Sequence, residues 1–156
     1  MKTIKGPGIF LAQFLRDEEP FNNLGGISKW VADLGYKGVQ IPTWDTRVID
    51  LDRAAESKTY CDELKGTLNA VGLEPIELAA YLQGQVLAVH PAYETMFQPF
   101  FPAGFNKTQR VEWAMDQLKK SVAASVNMGT NHVSCMSGGF AWHMIYPWPQ
   151  RPVGII

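Results

Sequence analysis

The amino-acid sequence predicts an α/β fold in which parallel strands alternate with helices. Three features support this fold: short apolar segments without alternating polarity, intervening segments with helical spacing, and a glycine at the end of each helix. Continuous apolar strands are typical of parallel sheets that helices cover. Because the elements repeat in the order β-α-β-α-β-α-β, we expect right-handed crossover connections between neighbouring strands.

Four segments have the apolar content of buried strands. They are Gly8–Leu15, Gly38–Thr43, Glu74–Tyr81 and Asn131–Ser137. Between these segments, apolar residues recur three or four positions apart, which places them on one face of a helix. These positions are Leu24, Ile27, Val31 and Leu34 in the first helix, Cys61, Leu64, Leu68 and Val71 in the second, and Val111, Met115, Leu118, Val122 and Val126 in the third.

Residues at the helix ends support the same order of elements. Asn106 is expected to cap the third helix, with Gln109 as its reciprocal partner. Glycine follows the apolar end of each helix, at Gly35, Gly72 and Gly129. Glycine in this place takes the left-handed conformation that ends a helix and turns the chain towards the next strand.

Two parallel architectures fit this order, and the loops after the strands separate them. A doubly wound sheet normally carries a glycine-rich phosphate loop after its first strand, and Arg16-Asp17-Glu18-Glu19-Pro20 stands there instead. A (β/α) barrel places polar and aromatic site residues after its strands. Such residues occur at Thr43-Trp44-Asp45, Gln83-Gly84-Gln85 and Ser137-Gly138-Gly139. A closed barrel needs about 250 residues, so residues 1–156 are expected to form one domain with about the first four β/α units of a TIM barrel.

Composition excludes several classes of protein. Fourteen basic and fifteen acidic residues give a formal net charge of −1, without a basic block, so no nucleic-acid partner is expected. No segment has the length and apolar content of a membrane span. Cys61 and Cys135 are too few and too far apart for a disulfide framework. We therefore expect a cytoplasmic location.

Two loop segments carry a family resemblance. The first is Val89-His90-Pro91-Ala92-Tyr93, and the second runs from Ser137-Gly138-Gly139-Phe140-Ala141-Trp142 to Tyr146-Pro147-Trp148-Pro149-Gln150-Arg151-Pro152. In these segments the chain resembles the sugar phosphate isomerase/epimerase family. That family belongs to the xylose isomerase-like TIM-barrel superfamily, also known as AP endonuclease family 2, which includes endonuclease IV.

The resemblance implies a metal-assisted proton transfer next to the carbonyl of a sugar or keto-sugar. Members hold a divalent metal (Mn, Mg, Zn or Co) with Glu, Asp, His and Glu from the second half of the barrel. Those strands would follow Ile156, so we expect the metal-binding half to be absent, no metal to be fully ligated, and this chain alone to be inactive. The alternatives are a keto-glycoside lyase or deglycosidase subunit of the same fold and a non-catalytic half-barrel binding module. An endonuclease IV-like phosphodiesterase is disfavoured by the near-zero net charge.

Candidate site residues lie in the loops and in the third strand. His90 and His143 are candidates for acid–base catalysis or for polarising a sugar hydroxyl. Glu77 is expected in the barrel interior, where a carboxylate needs a partner, either substrate or a structural cation. Aromatic rings cover the C–H faces of sugars, and polar groups bind their hydroxyls. The expected substrate-binding residues are Gln13, Trp44, Glu77, Gln83, Trp142, Tyr146, Trp148, Gln150 and Arg151.

A half-barrel also has consequences for assembly. Its first and fourth strands, near Phe10 and Val133, would have unpaired edges that invite another chain. Its inner face is expected to expose apolar residues such as Ile41 and Leu78. We therefore expect a homo-oligomer or association with a missing C-terminal half, in addition to a small-molecule carbohydrate substrate.

Overall fold

The computed structural model describes residues 5–139, and within them four strands alternate with helices. The strands are β1 (Gly8–Phe10), β2 (Gly38–Pro42), β3 (Glu74–Ala80) and β4 (Val133–Cys135). The helices are α1 (Leu24–Asp33), α2 (Leu51–Glu56), α3 (Lys58–Asn69), α4 (Tyr81–Gln85), α5 (Glu94–Phe97) and α6 (Lys107–Met128), with 3₁₀ turns at Pro91–Tyr93 and Gln98–Phe100.

The strands form one sheet in the order β1-β2-β3-β4. The pairs β1–β2 and β2–β3 are parallel, and their register places Phe10 beside Gln40 and Gln40 beside Glu77. A register shift between Val39 and Gln40 marks a bulge in the second pair. Sequential parallel strands joined through helices are the arrangement of consecutive units in a TIM barrel. The predicted fold class and strand order are therefore confirmed.

Two strands are shorter than the apolar segments that predicted them. After Phe10 the chain turns, and the Leu11 carbonyl accepts a hydrogen bond from the Phe14 amide at 2.9 Å. This turn keeps the remaining apolar residues of the segment out of β1. At the other end of the sheet, Asn131 takes a left-handed φ of 59°. The strand β4 consequently begins only at Val133.

The helix ends follow the predicted chemistry. The Asn106 side chain accepts from the Gln109 amide, and the Gln109 side chain accepts from the Asn106 amide, both at 3.0 Å. Gly35, Gly72 and Gly129 have φ values of 89°, 78° and 77°. Both predictions are thus confirmed. The periodicity did not predict α2, because six residues are too few to show a helical repeat.

The described residues fall into two compact units. The first contains the residues up to Ala80 together with Lys119–Ser134, and the second contains Tyr81–Leu118 and the residues from Cys135 onwards. Each unit has its own cluster of buried apolar side chains. Burying such side chains stabilises each unit by roughly 1.5–3 kcal/mol per large residue.

The core of the first unit lies between the sheet and its helices. Ile41 and Leu78 have no solvent exposure and belong to the cluster that includes Ile27 and Leu68, from α1 and α3. The expectation that Ile41 and Leu78 line the inner face of the sheet is therefore wrong. Successive strand residues point to opposite faces, so the inner face carries Gln40 and its neighbours in the register.

The core of the second unit is formed mostly by residues for which the sequence predicted no helix or strand. Val86, Val89, Tyr93 and Phe97 are buried together with Ala114 from α6. Short helices and 3₁₀ turns between Tyr81 and Phe100 bring these side chains inwards. Such turns rely on tertiary packing, because isolated helices of this length are not stable in water.

Every helix within residues 5–139 is too short or too polar to span a lipid bilayer.

Candidate functional site

An ion-pair cluster follows the carboxyl end of β2 in the first unit. The guanidinium of Arg47 donates from Nε to Asp45 Oδ1 at 2.9 Å and from a terminal nitrogen to Asp45 Oδ2 at 2.7 Å. Its other terminal nitrogen donates to Asp17 at 3.0 Å. Two parallel contacts of this kind fix the orientation of both groups. The cluster therefore joins the loops that follow β1 and β2.

The charge of Arg47 controls the ionisation of Asp45. Burial raises the pKa of the Asp45 carboxyl, but the hydrogen bonds and positive charge of Arg47 lower it by more, so the net pKa lies below its ordinary value. The same contacts raise the pKa of Arg47. Both groups are consequently charged at neutral pH.

Trp44 lies directly before this cluster and is half-buried. Its ring meets the ring of Phe10 from β1 edge-on, with 6.1 Å between centroids and 73° between planes. Aromatic pairs prefer such edge-to-face contact. An oriented, partly exposed aromatic ring therefore adjoins a charged pair in the loop where barrel enzymes place substrate residues.

Glu77 lies on the inner face of the sheet and joins three strands. Its carboxylate accepts from Gln40 Nε2 on β2 and, at 2.7 Å, from Ser134 Oγ on β4. Both donors are neutral, and no ion pair of Glu77 occurs among the described side chains. The sequence analysis expected Glu77 to contact either substrate or a positively charged side chain. Within residues 5–139, no ion pair with such a side chain is found.

The second unit begins with α4, which carries two buried glutamines. Gln83 and Gln85 are 1% and 7% exposed. The amide oxygen of Gln85 is buried and accepts no hydrogen bond within the described part of the chain. Leaving a buried acceptor unpaired costs about 1–3 kcal/mol. Native proteins contain few such groups, and each calls for a specific explanation.

His90 is half-buried and orders the turn that follows it. Its Nδ1 accepts a hydrogen bond from the Ala92 amide at 3.2 Å, and its carbonyl accepts from the Tyr93 amide at 2.9 Å. The ring also packs edge-on against Tyr93, with centroids 6.0 Å apart. His90 is therefore the N-cap of the 3₁₀ turn Pro91–Tyr93.

One further candidate, Gln13, lies within the described residues. It is exposed in the turn after β1. The remaining candidates, from the aromatic and proline-rich segment, lie outside the described residues: Trp142, His143, Tyr146, Trp148, Gln150 and Arg151.

The contributors to these clusters that were not predicted include Gln40, Arg47 and Ser134. Arg47 stands two positions after Asp45, a spacing at which a side chain can bond back to a neighbour. Gln40 and Ser134 are polar residues in strand segments that are otherwise mostly apolar. This polarity could have marked them as candidate site residues. Their common partner is distant in sequence, so only the register of the sheet brings them together.

Within residues 5–139, no group of three His, Cys, Asp or Glu side chains is placed to hold a metal ion. Zinc sites in proteins use three or four protein ligands. The described residues do not supply such a set by themselves.

The sequence matches the family described as xylose isomerase-like TIM barrel over residues 28–152, which is most of the chain. The match confirms the superfamily in which the resemblance of the loop segments places the chain. No curated protein matches the chain at a significant level.

Proposed function

Because the chain belongs to the xylose isomerase-like TIM barrel family, we propose that it is a sugar isomerase or epimerase. The reaction would move a proton next to the carbonyl of a sugar or keto-sugar. One observation supports a carbohydrate substrate above all: the half-buried residue Trp44 directly precedes Asp45 of the Asp45–Arg47 pair, in the loop after the carboxyl end of β2.

This group matches the chemistry of a sugar surface. The ring of Trp44 offers an apolar face to sugar C–H groups, while the charged pair offers both acceptors and donors to hydroxyls. The contacts of Arg47 hold Asp45 in one orientation, which reduces the entropy lost on binding. In this proposal Trp44 and Asp45 bind and orient the substrate, and Arg47 keeps the Asp45 carboxylate ionised.

The family resemblance also implies a divalent metal, which would stabilise the enediolate formed by proton loss. Since the described residues do not hold one, we propose that its ligands come from elsewhere in the barrel. Residues 140–156 contain His143 and no carboxylate side chain. The 156-residue chain is accordingly proposed to bind sugar without turning it over.

Deuterium exchange tests the proposal. The intact gene product is incubated in D₂O with Mn²⁺ or Mg²⁺ and D-fructose, D-xylulose or D-ribulose, and NMR follows deuterium uptake at the carbon beside the carbonyl. We expect uptake from at least one sugar. The Trp44→Ala variant should raise KM several-fold, and Trp44→Phe, which keeps an aromatic ring, should raise it less.

Three outcomes would each contradict a part of the proposal. Exchange at the metal-only background for every sugar would exclude the isomerase and epimerase reactions. Equal KM values for Trp44→Ala and the unaltered protein would remove Trp44 from the substrate site. Turnover by the 156-residue chain alone would show that its own residues complete the metal site.

A further inference from the structure

The inner face of the sheet in the first unit has an apolar floor near the amino ends of its strands. Gly8 and Gly38 are register partners in β1 and β2, and Gly38 shares the face of Gln40, two positions further on. A Cβ on Gly8 would lie 2.7 Å from Cδ1 of Ile76, and one on Gly38 would lie 2.6 Å from its Cγ2. The two glycines therefore leave the space that the Ile76 side chain of β3 fills.

A bulge in β3 brings two successive residues to this inner face. Val39 pairs with Pro75 and Gln40 pairs with Glu77, so Ile76 is the extra residue of β3. Successive residues of a regular strand point to opposite faces. At the bulge, however, Ile76 lies over the two glycines while Glu77 bonds to the side chain of Gln40. The bulge thus turns a carboxylate inwards, one position closer to the carboxyl end of β3 than the apolar floor.

Two neutral donors hold the Glu77 carboxylate. Gln40 Nε2 donates to Oε1, and Ser134 Oγ donates to Oε2 at 2.7 Å. An ionised carboxylate offers about four lone-pair positions, two on each oxygen. The described residues use one position on each oxygen, so each oxygen keeps one acceptor position for a ligand. Because Glu77 is only half-buried, the carboxylate is oriented without being closed off.

The same face leads to the loop that carries the proposed sugar-binding residues. Phe10 pairs with Gln40, which places it on the face of Glu77, and its ring meets the ring of Trp44 edge-on. All of these residues belong to the first unit. In (β/α) barrels the ligand lies at the carboxyl ends of the strands. Glu77 is therefore placed at the interior end of the site at which Trp44 and Asp45 are proposed to bind sugar.

We propose that the Glu77 carboxylate binds two adjacent hydroxyl groups of the substrate, one on each oxygen. The substrate class is thus a sugar with a vicinal diol. That the diol belongs to a sugar rests on the proposed function, whereas the hydroxyl site itself is open to any vicinal polyol. Of the two contacts expected for Glu77, this selects substrate.

Xylitol tests the hydroxyl site by itself, because it carries a hydroxyl on every carbon and has no carbonyl group to react. The intact gene product, labelled with ¹³C, is titrated with xylitol, and NMR follows the carboxyl carbons of Glu77 and Glu74, assigned through the backbone. Glu74 is the internal control, since it lies at the amino end of the same strand, beside Gly38. We expect xylitol to shift the Glu77 signal alone. The probe 1,5-pentanediol, whose two hydroxyls are too far apart in the extended chain to meet one carboxylate, should shift neither signal.

A matched pair of variants measures the contribution of the carboxylate. Glu77→Gln keeps the size of the side chain and one acceptor oxygen but removes the second acceptor and the charge. It should weaken xylitol binding, measured by calorimetry, about tenfold, which is the effect of losing a hydrogen bond to a charged group. Glu74→Gln makes the same chemical change at the amino end of β3 and should leave the affinity unchanged. If Glu77→Gln does not fold, the titration of the unaltered protein decides.

The outcomes separate this site from the proposed reaction. An unshifted Glu77 signal, an equal shift with 1,5-pentanediol, or unchanged affinity in a folded Glu77→Gln variant would overturn the Glu77 site even if a ketose exchanges deuterium. A Glu77 shift with xylitol alone, together with weaker binding by Glu77→Gln, would support the site. If no ketose then exchanges deuterium, the isomerase and epimerase reactions fail and the hydroxyl site stands.

Discussion

The backbone of Gly84 lies directly against the backbone of Met136 in the second unit. A Cβ on Gly84 would lie 2.9 Å from the carbonyl carbon and 3.0 Å from the amide nitrogen of Met136, and closer still to its carbonyl oxygen. A backbone cannot yield as a flexible side chain does. Gly84 is thus required where α4 meets the segment that follows β4.

Gly84→Ala should therefore lower the free energy of unfolding by about 2 kcal/mol, because the added methyl group forces the two segments apart. Gly66→Ala is the matched control, since Gly66 lies in α3 with no atom within 4 Å of the added Cβ. That change should stabilise the helix by up to about 1 kcal/mol. Urea denaturation of both variants measures the difference. If the two variants change the free energy of unfolding equally, the backbone around Gly84 accommodates the methyl group without loss of stability.

The hydrogen bond between Ser134 and Glu77 predicts a second effect. Ser134→Ala removes the donor to Glu77 Oε2 and should lower the free energy of unfolding by about 1–2 kcal/mol, because the partner is a partly buried carboxylate. Thr67→Ala on α3 provides the comparison, since the Thr67 hydroxyl bonds to a carbonyl at an exposed position. The control should change stability by less than about 0.5 kcal/mol. A Ser134→Ala variant as stable as the parent would show that water replaces the lost donor.

The Asp45–Arg47 pair should make stability depend on pH. The pKa of Asp45 in the folded state is lowered. The ion pair therefore makes its full contribution to the free energy of unfolding above the unfolded-state pKa, about 4, and loses it as the pH falls through the folded-state pKa. A double-mutant cycle with Asp45→Asn and Arg47→Met isolates the coupling energy between the two side chains. We expect coupling at pH 7 that decreases progressively below about pH 4. Coupling that stays constant down to pH 2 would contradict this assignment.

The unpaired amide oxygen of Gln85 predicts a stabilising substitution. Gln85→Met keeps the size of the side chain and removes a buried acceptor without a partner, so the free energy of unfolding should rise by about 1 kcal/mol. Gln98→Met, at an exposed position, is the control and should change it little. Thermal and chemical denaturation would measure both. A destabilised Gln85→Met variant would indicate that the oxygen is hydrated in solution.

The strand order predicts self-association or association with further β/α units. The strands β1 and β4 stand at the two ends of the sheet formed by the described residues, and strand edges of this kind pair with other chains. Val122 and Val126 on α6 are also 56% and 66% exposed. Light scattering of the purified chain at micromolar concentrations should give a mass above 17.4 kDa. A monomer with a cooperative melt would contradict the expectation of a half-barrel that needs a partner.

Local chemistry was readable from the sequence because it depends on residues close together in the chain. The helical spacing, the Asn106–Gln109 capping box and the glycines that end the helices all act within a few positions. The strand order followed from the same local units, since short crossovers leave few other topologies.

The face of the sheet on which each side chain lies was decided only by the tertiary structure. A shift of one residue in a strand exchanges its two faces, and a continuous apolar segment carries no alternation from which to choose between them. Ile41 and Leu78 were therefore assigned to the wrong face, and the partners of Glu77 were not foreseen. Likewise, the sequence predicts no helix for the apolar residues between Val86 and Phe97, because their short helical turns exist only when packed into a common core.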